Sequence, residues 1–108
     1  MSINQSDIID LISTNSQNQV LLTISDHHSW DEIWHLRLLE DKINAYLRFI
    51  ESGQVFTDYP KANGKEIIIR ITMKYQPNKD ADSFLKKAKE IISNAGFRLE
   101  WEILNSKD

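Results

Sequence analysis

The stretch EIIIRITMKYQPNKDADSFLKKAKEIISNAGFRLEWEIL, residues 66–104, decides the fold. Residues 66–75 are rich in β-branched side chains and alternate in polarity, a pattern that predicts a strand. Residues 79–95 carry apolar side chains at helical spacing and are followed by Gly96, which predicts a helix and its end. Residues 97–104 alternate again, as a strand does. A strand, a helix and a strand joined by short connections predict a right-handed parallel βαβ unit.

The segments before this unit supply the rest of the fold. Residues 8–12 are apolar, residues 13–18 are polar and residues 19–25 alternate, which predicts a hairpin that leads into a further strand. With a long helix at residues 29–52, the predicted order is ββαβαβ. We expect an α+β fold, a two-layer α/β sandwich with a mixed four-stranded sheet and two helices on one face. A chain of 108 residues, 41% hydrophobic, supplies one core, so residues 1–108 are expected to form a single domain.

Composition excludes several classes of function. The formal net charge of −3 gives no general attraction to nucleic acid or to an anionic membrane, and it weakly favours basic partners. The absence of cysteine excludes disulfides, thiolate metal sites and cysteine nucleophiles. The N-terminus does not resemble a signal peptide, and no apolar run is long enough to span a bilayer. The sequence contains no glycine-rich loop of the kind that binds the phosphates of a cofactor. We therefore expect a cytoplasmic protein without a cofactor.

The long helix has specific start and stop signals. It lies within DHHSWDEIWHLRLLEDKINAYLRFIESG, residues 26–53. Ser29 and Glu32 are spaced as in a capping box, in which each side chain accepts a hydrogen bond from the backbone amide of the other residue. Gly53 can adopt the left-handed conformation that ends a helix. The spacing predicts a helix that starts near Ser29 and ends near Ser52.

This helix is apolar on two opposite sides. One side is expected to dock on the sheet, whereas the opposite side, here called the outer stripe, needs a separate explanation because an outer helix face is usually charged. His35 and Lys42 are predicted to lie on a flank between the two sides. The docking side consists of Leu36, Leu39, Ile43, Tyr46, Leu47 and Ile50, and the outer stripe consists of Trp34, Leu38, Ala45 and Phe49.

Two interpretations of the outer stripe remain open. The turn-rich connector at residues 54–65, with a short extended piece at residues 55–56, can fold over it. Alternatively, the stripe binds a partner protein or a second copy of the chain, since aromatic residues beside arginine are enriched at binding hot spots. The candidate partner-binding residues are Trp34, Arg37, Leu38, Arg48 and Phe49.

A cluster of imidazoles and carboxylates offers a different chemistry. Asp26, His27, Asp31 and His35 are close in sequence, and Asp31 and His35 have the i and i+4 spacing at which helical ligands converge on a metal. The HExxH motif is missing and no second ligand motif converges on the cluster. Polar residues around a helix start are the simpler interpretation, so no catalytic and no metal-binding residue is assigned.

Residues 26–54 resemble a family of short bacterial proteins of unassigned function. The resemblance rests on the pattern DHxxW followed by HLxLLxxKxNAYLxFIESG, and it continues through the Tyr59-Pro60 turn to Lys74 and Tyr75. Glu40 stands where the pattern favours glutamine. The resemblance implies no catalytic residue. In size and acidity the chain is also similar to the immunity proteins that neutralise bacterial polymorphic toxins.

The leading hypothesis is a non-catalytic cytoplasmic module that binds another protein. Its most concrete form is an immunity protein whose acidic surface meets a basic toxin domain, because complementary charge speeds specific association. One alternative is a homodimer of unknown role. The other is a metal-dependent enzyme that uses the cluster at residues 26–35.

Overall fold

A computed structural model describes residues 11–30 and 32–104. Most of the first predicted apolar segment, residues 8–10, lies outside the described residues, as does Asp31. None of the described helices is both long enough and apolar enough to cross a bilayer. The elements, in chain order, are β1 (Leu11–Thr14), β2 (Gln19–Asp26), α1 (His35–Glu51), α2 (Gln54–Asp58), a 3-10 turn (Pro60–Ala62), β3 (Glu66–Met73), α3 (Lys79–Asn94) and β4 (Arg98–Ile103).

The strands form one mixed sheet of four strands in the order β1-β2-β3-β4. β1 and β2 form an antiparallel hairpin in which Thr14 lies opposite Val20. β3 is parallel to both of its neighbours, because the helices of the two crossovers return the chain to the same end of the sheet. The α+β class and the mixed four-stranded sheet are confirmed.

One face of the sheet supplies the floor of the core. Leu22, Ile69 and Leu99 are aligned across β2, β3 and β4, and all three side chains are fully buried. On β2, the residues two positions before and after Leu22 are also buried, and so are those two positions before and after Ile69 on β3. Alternate residues of a strand point to the same face of the sheet. Residues of α1 and α3 belong to the same buried cluster. The core therefore combines this face of the sheet with residues of the two long helices.

The opposite face of the sheet carries most of its charged side chains, together with the buried Ile68 on β3. Arg98 on β4 pairs with Glu66 at 3.1 Å, and Arg70 on β3 pairs with Glu102 at 2.8 Å. These side chains are partly exposed, so each pair contributes little to stability. Their alternation with the buried positions fixes the register, because a slip of one residue would bury the charges.

The start of α1 differs from the prediction. The helix begins at His35, with Trp34 as the cap residue, and the capping box at Ser29 and Glu32 is therefore wrong. The ring of Trp30 stacks on the ring of His35. In a continuous helix, side chains five positions apart point in directions that differ by about 140°. The stacking of Trp30 on His35 therefore requires that the helix does not extend back to Trp30.

The buried side of α1 is rotated from its predicted position. Four residues of the docking side are buried as predicted, whereas Leu36 and Leu47 are only half-buried. His35 and Lys42, predicted on a flank, are fully buried, so that prediction is wrong. The rotation follows from a polar contact at His35, described below, that draws this side of the helix toward the end of β2. The residues confirmed as core are Leu39, Ile43, Tyr46 and Ile50.

The connector after α1 is helical, which the sequence did not predict. Gln54 donates to Asp58 at 2.8 Å across one turn of α2, so the extended piece predicted at residues 55–56 is wrong. Val55 is fully buried in the core and Tyr59 packs against it. The connector therefore adds to the core, and α2 and the 3-10 turn interrupt the predicted order ββαβαβ.

Asn78 caps α3 in the ordinary way. Its side chain accepts a hydrogen bond from the amide of Ala81 at 2.9 Å, which satisfies one of the free amides of the first turn. The buried residues of α3 recur at helical spacing, as predicted, and Gly96 follows with φ of 97°. The buried positions are Ala81, Leu85, Ala88 and Ile92.

Replacing Gly53 with alanine is expected to lower the free energy of unfolding by about 1–2 kcal/mol, the cost of the left-handed conformation for an L-residue. Gly53 has φ of 85° between α1 and α2, and an added Cβ would meet no atom within 4 Å, so only the backbone conformation opposes alanine. Urea denaturation measures the change. Gly53→Asn is the control and should lose less, because asparagine tolerates this conformation better. Equal losses for both variants would contradict the explanation.

Candidate functional site

The candidate site lies where β2 ends and the chain turns into α1. Ligands of open α/β sheets commonly bind at the carboxyl ends of parallel strands. Asp26 is the last residue of β2, and its carboxylate contacts Nε2 of His35 at 2.6 and 2.8 Å. Both side chains are buried. The contact joins the end of the strand to the first residue of the helix.

Both ring nitrogens of His35 face oxygen atoms. Nδ1 lies 3.0 Å from the backbone carbonyl oxygen of Ser29, which can only accept a hydrogen bond, so Nδ1 carries a proton. Nε2 faces the carboxyl group of Asp26, and that contact holds a second proton. The same carboxyl group accepts from the amide of His28 at 3.1 Å. The ring is thus fixed by hydrogen bonds at both of its nitrogen atoms.

Trp30 covers the His35 ring and ties two loops together. The two rings stack with centroids 3.6 Å apart and planes 16° from parallel. The indole Nε1 of Trp30 donates to the backbone carbonyl of Tyr75, and the side-chain Nδ2 of Asn78 donates to the backbone carbonyl of Trp30. The turn between β2 and α1 is therefore bound to the loop between β3 and α3.

Two large apolar side chains project from this anchored turn. Ile33 is 96% exposed and Trp34 is 42% exposed. The edge of the His28 ring meets Trp34 with centroids 4.9 Å apart, which restricts the orientation of the indole. Tyr75, on the adjoining loop, is 43% exposed. Ile33, Trp34 and Tyr75 are here called the anchor surface.

The predicted partner-binding residues divide into two groups. Trp34, Arg37 and Arg48 are exposed, and Arg37 pairs with Asp41 along the helix at 3.2 Å. Leu38 and Phe49 are half-buried and pack against the core. Among the five candidates, Trp34 combines exposure with a fixed orientation.

The predicted metal-binding residues are only partly brought together. Asp26 and His35 bond directly to each other, and His27 is exposed. Asp31 lies outside the described residues. Within residues 11–30 and 32–104, no group of three His, Cys, Asp or Glu side chains is placed to hold a metal ion. Since both nitrogens of His35 are engaged, the ring acts as a structural link in this conformation.

Sequence reasoning missed parts of the anchor surface. Ile33 was inside the predicted helix but was assigned to neither apolar side, and in the structure it precedes α1. Tyr75 was included in the strand predicted at residues 66–75, but β3 ends at Met73 and Tyr75 is in a loop. The closeness of four residues in the sequence, with Asp31 and His35 at helical spacing, suggested metal ligation, whereas Asp26 and His35 bond to each other. The available signal was the pattern DHxxW, which contains both Asp26 and the stacking Trp30.

Comparison with known proteins gives one result. No curated protein and no solved structure matches the chain. A model of a protein family matches residues 1–105, which is nearly the whole length of the sequence. The chain therefore belongs to DUF6572, a family of unknown function.

Proposed function

We propose that this protein is a non-catalytic module that binds another protein through the anchor surface. The observation that carries the proposal is the exposure of Ile33 and Trp34 on a turn fixed by buried contacts. Large apolar side chains together at a surface are typical of interaction sites. Tryptophan, tyrosine and arginine are the residues that most often dominate binding energy.

The fixed geometry of the turn favours binding. Ordering mobile side chains and loops at an interface costs free energy. Here the Asp26–His35 contact, the Trp30 stack and the hydrogen bond from Trp30 to Tyr75 hold the turn in place before a partner arrives. A larger part of the contact energy is then available as affinity.

We further propose that both long helices cover the same face of the sheet, as in a two-layer sandwich. In that arrangement the anchor surface occupies the end of the layers at which β2 and β3 finish, next to the first turn of α1. Arg37 is exposed one turn after Trp34 and extends the surface along the helix. The half-buried Leu38 lies one turn after Trp34, whereas Phe49 lies near the other end of α1, about 22 Å along the helix axis.

The most concrete version is an immunity protein in the cytoplasm that neutralises a toxin. The net charge of −3 suits a basic toxin domain, because opposite charge accelerates encounter and excludes wrong partners. The protein encoded next to this one is the partner to test first. Its binding is to be measured by calorimetry, and protection by growth of cells that express both proteins.

Replacing Trp34 with alanine is expected to weaken that complex by about 2 kcal/mol, roughly a 30-fold higher Kd, as for a hot-spot residue. Phe56→Ala is the matched control, since Phe56 is 39% exposed on α2, outside the anchor surface. Its Kd should stay unchanged. An unchanged Kd for Trp34→Ala would rule out the anchor surface, and a neighbouring product that neither binds nor harms cells would rule out the toxin version.

A further inference from the structure

A second surface, independent of the anchor surface, lies between the two long helices. α1 and α3 border a groove of about 350 Å³. Ile43, Ala88 and Ile92 form its buried floor, whereas Ile91 at its mouth is 56% exposed. Exposing a large apolar side chain to water next to an apolar floor costs free energy. Burial of this groove against another protein surface would recover that free energy.

The two walls of the groove carry opposite charges. Glu40 projects from α1 and Lys87 from α3, and both side chains are exposed. Neither makes an ion pair with any residue in the part of the chain that the structure describes. Their sequence neighbours behave differently, because Asp41 pairs with Arg37 and Lys86 pairs with Asp82 within the same helix. Glu40 and Lys87 thus remain available to an external partner.

We propose that this groove is the interface of a homodimer and that its occupant is a second copy of this chain. A two-fold axis that runs along the groove places α1 of each copy over α3 of the other. Each Glu40 then faces Lys87 of the second copy, so both ion pairs form at once, and the two Ile91 side chains are covered. Opposite charges on opposite walls make the surface complementary to itself, which is the requirement for an isologous interface.

Sedimentation of charge-reversal variants tests this arrangement. Glu40→Lys and Lys87→Glu each convert both ion pairs into repulsions and are expected to raise the dimer Kd about tenfold or more. The double variant restores opposite charges and should return the Kd to within about threefold of the original. Lys61→Glu, an exposed charge reversal away from the groove, is the control and should leave the Kd unchanged.

Ile91→Ser supplies a test that does not depend on charge. Because Ile91 is exposed, the variant should fold normally by circular dichroism while dimerisation is lost. A natural chain that remains monomeric throughout the micromolar range would overturn the proposal. So would single variants that dimerise normally, or a double variant that fails to recover. Trp34→Ala should leave the dimer intact, which separates this result from the proposed function.

Discussion

Replacing His35 with leucine is expected to lower the free energy of unfolding by about 3–5 kcal/mol, the loss when one partner of a buried, directly bonded Asp–His pair is removed. The carboxyl group of Asp26 would stay buried with only the amide of His28 as a hydrogen-bond donor among its present contacts. The stack with Trp30 would be lost as well. Urea denaturation, followed by circular dichroism, measures the change.

Asp26→Asn is the matched variant for the same contact. The amide nitrogen of asparagine can donate to Nε2 of a neutral His35, while its oxygen still accepts from the amide of His28. The expected loss is therefore smaller, about 1 kcal/mol. If both variants lost the same amount, or if His35→Leu lost less than Asp26→Asn, the pair would not be the link that holds the end of β2 to α1.

Replacing Ile69 with alanine is expected to cost about 2–5 kcal/mol, the range for truncating a large aliphatic side chain in a core. Ile69 lies at the centre of β3, between Leu22 and Leu99, and is fully buried. Ile69 belongs to the main buried cluster, which is closely packed, so the surroundings cannot close fully around the space that the side chain leaves. Thermal and urea denaturation should both show the loss.

Ile33→Ala removes the same atoms from an exposed position and is the control. Its stability should change by no more than about 0.5 kcal/mol, as for most surface substitutions. The comparison isolates the effect of burial, because the chemical change is identical. A loss for Ile33→Ala close to that for Ile69→Ala would show that Ile33 is covered in solution and would remove it from the anchor surface.

The elements from β3 to the end of β4 were predictable because local and global signals agree there. β3 is rich in β-branched residues and packs on the core face at alternate positions. α3 has one apolar side, an asparagine cap and a glycine after its end. Short connections leave few topologies for such a unit, so the parallel pairing of β3 with β4 follows from the pattern.

The start of α1 was not predictable from the same signals. Ser29 and Glu32 have the spacing of a capping box, yet the Asp26–His35 contact and the Trp30 stack fix a turn that a helix cannot accommodate. Tertiary contacts between residues nine positions apart outweigh a local cap, because a cap contributes only about 1 kcal/mol. The propensity-based start therefore lies six residues too early.

The sequence predicted where the candidate site lies, but it did not predict correctly which residues are exposed there. Trp34 was identified from its place on a second apolar side of the helix, and it is exposed. The same reasoning assigned Leu38 and Phe49 equal weight, although both pack against the core. Helical periodicity gives the direction of a side chain from the helix axis, whereas its burial depends on which other elements pack against that side of the helix.

The parallel pairing of β2 with β3 also governs the order in which the sheet is completed. Gln19 lies opposite Glu66, 47 residues later in the chain, whereas β1 meets β2 across a tight turn. On the ribosome, β2 therefore has no neighbour on its second edge until β3 has been synthesised and has left the exit tunnel. Among the described elements, the hairpin and α2 are then the parts of the fold that α1 can pack on, and the apolar side of β2 depends on that partial cover.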